Sequence, residues 1–146
     1  SAARSRFGMG GLYSFQTRSA ASAHTRKPET LMDLFFAARV LSAGAFLFYG
    51  VLCLSSERMV AEFDRYDLPR LRVWTALLEI AGAIGLALGP TPQWRAAAAT
   101  GLCLLMVGAL VVRLRIEDPW YAMLPAAALL AVNGWIAVHL WRGGPK

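Results

Sequence analysis

With 146 residues, 57% of them hydrophobic and 16% charged, and a mean hydropathy of +0.46, the chain is too apolar for a soluble domain of its size. A spanning helix uses about 20 mostly apolar residues, so beyond the polar start there is room for four spans at most and none for a large soluble catalytic domain. Fifteen basic against nine acidic side chains give a formal charge of +6. The basic residues sit between apolar blocks and form no stripe interleaved with aromatics, so the excess reports membrane topology and nucleic acid is not an expected partner.

Residues 1–28 hold Arg4, Arg6, Arg18, Arg26 and Lys27, five serines, two threonines and no acid. That is the composition of an organelle-directed presequence, and a start at Ser1 without Met fits a processed precursor. The segment 1–30 is expected to be basic and extended, and ordered only where a neighbour holds it, because it has too little apolar surface to offset its conformational entropy.

The transmembrane domain is expected over residues 31–142, followed by a tail at 143–146. Its first span runs from about 31 to 54, with Asp33 near the start and Arg39 well inside. In residues 55–72, Ser56 can cap a short helix on which Met59, Val60, Phe63 and Tyr66 share one face, with Arg58 and Glu62 four apart on the other; Pro69 closes it. This is an amphipathic helix suited to the interface. The second and third spans, 73–89 and 96–112, are joined by the turn GPTPQWR. The fourth, 120–141, carries Trp120, Tyr121 and Trp141 at its ends, where aromatic belts form. Short connections predict an all-α fold: an integral membrane antiparallel four-helix bundle with a short interfacial helix between spans 1 and 2.

Eight basic residues (Arg4, Arg6, Arg18, Arg26, Lys27, Arg95, Arg142, Lys146) fall on the side that holds both termini, with Glu29 the clear acid there; the opposite loops carry six of each sign. Both termini therefore face the cytoplasm, or the matrix or stroma of an organelle.

Glu79 stands out, because a carboxyl in mid-span is costly unless paired, neutral or wet. Depth counted by helical rise puts Arg39, Glu79 and Asn133 at roughly 12 to 15 Å from the same side, which predicts a buried polar cluster. Its expected core is an Arg39–Glu79 ion pair fixing register, with Asn133 or Tyr49 completing the hydrogen bonds; the functional alternative is a proton-handling or quinone-headgroup site. Ala81, Gly85 and Gly89 form a small-residue face for helix packing, and Ala97 with Gly101 repeats it. His139 is a candidate haem or pigment ligand, although bis-His ligation would need a second histidine and His24 lies in the polar start. Cys53 and Cys103 lie inside apolar stretches about 12 Å apart in height, which argues against a disulfide. With no catalytic motif and no metal cluster, an autonomous enzyme is not expected.

The order of Arg39, Phe48-Tyr49-Gly50, Phe63, Leu68-Pro69, Glu79, Gly82, Gly85, Gly89 and Met106 resembles the DoxX-like family of small four-helix membrane proteins, over roughly residues 35 to 140. The resemblance implies a membrane protein close to quinone-linked redox chemistry and supplies no catalytic residue. The leading functional expectation is a non-catalytic accessory subunit of a large energy-transducing complex, a respiratory one of the mitochondrial inner membrane, with residues 1–30 running over neighbouring subunits and lipid against the spans. Two alternatives are a quinone-linked redox or proton-handling DoxX-like membrane protein and a photosystem accessory subunit, and the alternative locations are a bacterial plasma membrane or a thylakoid. Bound lipid is expected, a quinone belongs to the second reading, and no resident cofactor is called for.

Overall fold

The structure, a computed structural model, describes the backbone of residues 10–143 and the side chains of residues 29–143. Among the described residues it is all helical: α1 (Gly10–Ser55), α2 (Glu57–Arg65), α3 (Leu71–Leu88), α4 (Pro92–Arg115) and α5 (Trp120–Trp141). Four segments are long and apolar enough to cross a membrane, Glu29–Ser55, Leu71–Leu88, Pro92–Arg115 and Trp120–Trp141. Residues 1–35 and 36–146 cluster as separate units, and everything described below as a site lies within the second.

The expectation of an extended start is corrected where the backbone is described. Helix α1 begins at Gly10 and runs unbroken through Pro28 into the first span. Residues 1–9, and the tail at 144–146, lie outside the described residues.

Local sequence explains the other boundaries. Ser56 stands at the N-cap of α2 in an extended conformation, but its side chain makes no cap bond; its carbonyl takes the first N–H groups, from Met59 and Val60. Helix α2 ends with Leu68 N–H on the Phe63 carbonyl and Asp67 N–H on the Asp64 carbonyl, Asp67 sitting at φ 57°. Helix α4 ends in the same way, with Asp118 on Arg113, Glu117 on Leu114, and Glu117 at φ 56°. Both are Schellman closures in which a side chain occupies the left-handed position usually given to glycine. Asp67→Gly and Glu117→Gly are each expected to raise stability by up to about 1 kcal/mol in an unfolding titration, since glycine removes the Cβ penalty there. At the start of α4, Thr91 accepts from Trp94 N–H and Pro92 occupies the first turn, where its missing N–H costs nothing. Arg72 donates to the carbonyls of Cys53 (2.6 Å) and Leu54 (3.2 Å), satisfying the C-terminal end of α1 from α3.

Packing follows from small residues. A Cβ on Gly50 would fall 2.7 Å from Ile80 Cγ1 and 3.1 Å from the Ala76 carbonyl, so α1 lies tightly against α3. Gly82 faces Leu102 and Gly85 faces Ala98, so α3 and α4 run in opposite directions. Trp141 Nε1 donates to Thr100 Oγ1, bringing the end of α5 beside the start of α4. The glycine face is therefore Gly82, Gly85 and Gly89. Ala81, expected on it, is exposed one position out of phase, as are Ala97 and Gly101. The core is Phe46, Ala76, Leu86, Ala96, Ala99, Leu102 and Ile136, whereas Leu41, Phe48, Leu77, Ile84, Leu88 and Leu104 point outward. Large apolar side chains on the outside of long helices are the pattern of a protein solvated by lipid. Exposed Trp120 and Trp141 bracket α5, a rise of about 31 Å that matches a hydrocarbon core of about 30 Å.

Candidate functional site

Under α2 lies a cavity of about 950 Å³. Its walls are mostly apolar: Phe46 and Tyr49 from α1, Leu71 and Thr75 from α3, Leu105 and Met106 from α4, and Ala122 and Leu129 from α5. Pro125, inside α5, lines it too and withdraws the N–H that would have bonded the Tyr121 carbonyl. Helix α2 covers one side with Met59, Glu62, Phe63 and Tyr66, all half-buried. Val60, expected on this face, is exposed, and Glu62 takes its place. The short helix turns the 3-4 spacing of 59, 62, 63 and 66 inward.

At the mouth, Asp118 is gripped by two cations. Arg65 reaches it with both terminal nitrogens (2.9 and 3.3 Å) and Arg113 with one (2.9 Å), while its own side chain is only 4% exposed. Arg65 also bridges to Glu62 at 2.8 Å, and Tyr66 donates its hydroxyl to the same carboxylate oxygen at 2.7 Å. Both guanidinium groups lie over the Tyr66 ring, 5.3 and 5.9 Å from its centroid. The expected Arg58–Glu62 pair gives way to Arg65, which is three residues from Glu62 and also within reach of Asp118. The second Schellman turn is what aims Asp118 at α2.

These contacts shift titrations. The hydrogen bond from Arg65, aided by the charges of Arg65 and Arg113, holds the Asp118 carboxyl below its ordinary value. The Tyr66 hydroxyl does the same for Glu62, with help from Arg65. Burial and the Glu62 bond push the Tyr66 phenol up, and the Asp118 bond pushes Arg65 up. Depressed carboxyl values mean that the clasp is fully formed above the unfolded-state value of about 4 and weakens as pH falls through the lower folded-state values. Hydrogen exchange of residues 57–68 is therefore expected to be slow and flat from pH 7 to about pH 5, after correction for intrinsic rates, and to accelerate below about pH 4. Asp118→Asn should exchange fast throughout; a variant as protected as the parent would sink the clasp.

Glu79 sits at the deep end of the cavity, on its wall, with the residue 7% exposed. Among the described residues no hydrogen bond or ion pair engages its carboxyl; the ion pairs are Arg65–Glu62, Arg65–Asp118 and Arg113–Asp118. The structure does not bring Arg39 to it. Because Gly50, not Arg39, abuts Ala76, Glu79 and Ile80, Arg39 lies about 16 Å further along α1. Depth counted from residue 31 misplaced it, because the Gly50 contact sets Arg39 itself, not residue 31, level with the Gly89 end of α3. Asn133 is fully buried, and its amide exchanges hydrogen bonds with Ser42 (2.8 and 3.0 Å) and donates to the Leu129 carbonyl, so it joins α1 to α5 and touches neither charge. Tyr49 lines the cavity, its ring edge-on to Phe48. Ser42, Asp118 and the Arg65–Tyr66 pair had no place in the sequence reading. An (i, i+3) Glu62–Arg65 spacing and a Tyr at the next position were the available signals.

His139 is exposed and stacks on Trp135, ring centres 5.8 Å apart. Among the described residues no group of three His, Cys, Asp or Glu side chains is placed to hold a metal. Cys53 and Cys103 are free, their thiols directed to the carbonyls of Arg72 and Leu130.

Among the described residues, an all-helical fold with four apolar spans, a lipid-facing exterior and a carboxyl-bearing cavity at one end defines a small multi-pass membrane protein. Its sequence matches the DoxX-like family over residues 37–145, and the chain belongs to that family. No curated protein and no solved structure matches it.

Proposed function

We propose that this DoxX-like protein is an antiparallel four-helix bundle that binds a lipid-soluble amphiphile of the quinone class beneath α2, with Glu79 hydrogen-bonded to the headgroup. Helix α2 lies along the bilayer surface, and the basic residues of both termini and of the 90–95 turn face the cytoplasm or matrix. What supports the reading is Glu79: a buried carboxyl with no protein partner, on the wall of an apolar cavity of about 950 Å³. A cavity with mostly apolar walls and a few polar groups is the usual form of a small-molecule site, and an intramembrane carboxyl is expected to have a partner. A ring bearing carbonyls or hydroxyls supplies one, and its tail extends among Leu105, Met106 and Leu129.

Equilibrium dialysis of the detergent-purified full chain against a short-tailed ubiquinone analogue tests this. Saturable one-to-one binding is expected, weakened about tenfold by Glu79→Leu, which removes a hydrogen bond worth about 1.4 kcal/mol. Ala109→Phe, which places a ring inside the cavity, should weaken it as well. Equal binding by all three proteins would overturn the reading. The competing role, an accessory subunit of a respiratory complex, predicts comigration with that complex at fixed stoichiometry on a native gel, and no saturable quinone binding by the isolated chain.

A further inference from the structure

The opposite end of the fold carries a different unsolved charge. Arg39 lies on the inward stripe of α1, in phase with buried Ser42, Phe46, Gly50 and Cys53, and the Ser42–Asn133 bond fixes that rotation. Its Nε is buried with no hydrogen-bond partner. Among the described residues no carboxylate pairs with it, since all three ion pairs are at the α2 end. The Phe36 ring, 5.6 Å from its guanidinium carbon, is a weak compensation.

The register of α1 on α3 sets its height. Gly50 packs at Ala76 and Ile80, and eleven residues back, about 16 Å, is the level of Gly89 and the turn into α4. There Arg95 folds back to donate Nε to the Gly89 carbonyl at 2.8 Å, leaving its terminal nitrogens uncommitted. The Arg95 charge acts on Arg39 as a like charge. Two guanidinium groups at this level, at the edge of the hydrocarbon and with no carboxylate paired to either among the described residues, call for an anion. Their planar forks suit phosphate oxygens, and basic pockets between spans are where anionic headgroups bind.

We propose that Arg39 and Arg95 together hold a phosphate-bearing anion, either the headgroup of an anionic lipid or free phosphate. The site is independent of the cavity under α2. Native mass spectrometry of the full chain, with phosphatidylglycerol and phosphatidylcholine offered in equal amounts, provides the test, alongside thermal melting in lipid-free detergent with inorganic phosphate against chloride. Retention of one phosphatidylglycerol, about tenfold over phosphatidylcholine and lost about tenfold in Arg39→Gln and Arg95→Gln but not in Arg115→Gln, assigns a lipid site. A melting shift with phosphate, absent in the two variants and without lipid selectivity, assigns a site for the free ion. Indifference to lipid type together with no phosphate shift, or unchanged retention in both variants, overturns the proposal. Should Arg39→Gln fail to fold, Arg39→Lys and Arg95→Gln carry the test: the first should bind less well than the parent through loss of the fork, and the second should lose binding.

Discussion

Asn133→Ala is expected to destabilise the protein by about 2–3 kcal/mol, and Ser42→Ala by about 1 kcal/mol or less. The two side chains share reciprocal hydrogen bonds across α1 and α5, so if those bonds alone mattered the losses would match. Interhelical hydrogen bonds in membranes average only about 0.6 kcal/mol, because the separated helices find other partners in the bilayer. Asn133 differs in being completely buried and among the largest side chains that are. Truncating it leaves a void that the neighbouring turn cannot fill, and strands the Ser42 hydroxyl as well. Equilibrium unfolding in mixed detergent micelles, with both single variants and the double, separates the terms. A loss for Asn133→Ala no greater than for Ser42→Ala would mean that packing around this residue contributes nothing.

The second large effect is expected at Gly50→Val, about 1–3 kcal/mol with loss of the proposed quinone binding in the α2 cavity. Its first added carbon would lie 2.7 Å from Ile80 Cγ1 and 3.1 Å from a backbone carbonyl. Ile80 can turn aside, but the Ala76 carbonyl cannot, so α1 must move off α3. Glu79 Cβ is 3.4 Å from the same point, and a shift there displaces the carboxyl on the cavity wall. Gly44, on the same helix, has nothing within 4 Å of its added carbon. Gly44→Ala should therefore be neutral or stabilising by up to about 1 kcal/mol, through helix propensity alone. Similar outcomes for the two glycines would show that the close approach of α1 to α3 is not a constraint.

The spans were legible because lipid leaves little choice. A run of apolar residues long enough to cross must be helical to satisfy its own backbone, and that rule needs no tertiary information. The positions of α3 and α5 follow from it nearly to the residue, and α4 differs only in absorbing the polar residues on either side of its apolar run. Helix α2 was legible from its alternation of apolar and charged positions, but its phase was not. Val60 and Glu62 are equally compatible with a 3.6-residue repeat, and the contact with Asp118 decides between them. The small-residue face shows the same limit: Ala81 and Gly82 are both small, and only the approach of Leu102 selects the second.

Glu79 was singled out by charge alone, and it does line a cavity. Its partners were misjudged. Height along a helix is a sum of 1.5 Å steps from an end, and an end placed at residue 31, when the Gly50 contact puts residue 39 at the height of Gly89, carries its error into every depth that follows. By itself the sequence determined the class of protein, its family resemblance, the number of spans and the intramembrane charges that need explaining, because these depend on composition and local periodicity. Which charges meet, which stay apart, and where a cavity opens were decided by the tertiary structure. Those depend on relative register between helices, and register is set by single close contacts such as Gly50 on Ile80 and Ser42 on Asn133, which no local pattern encodes.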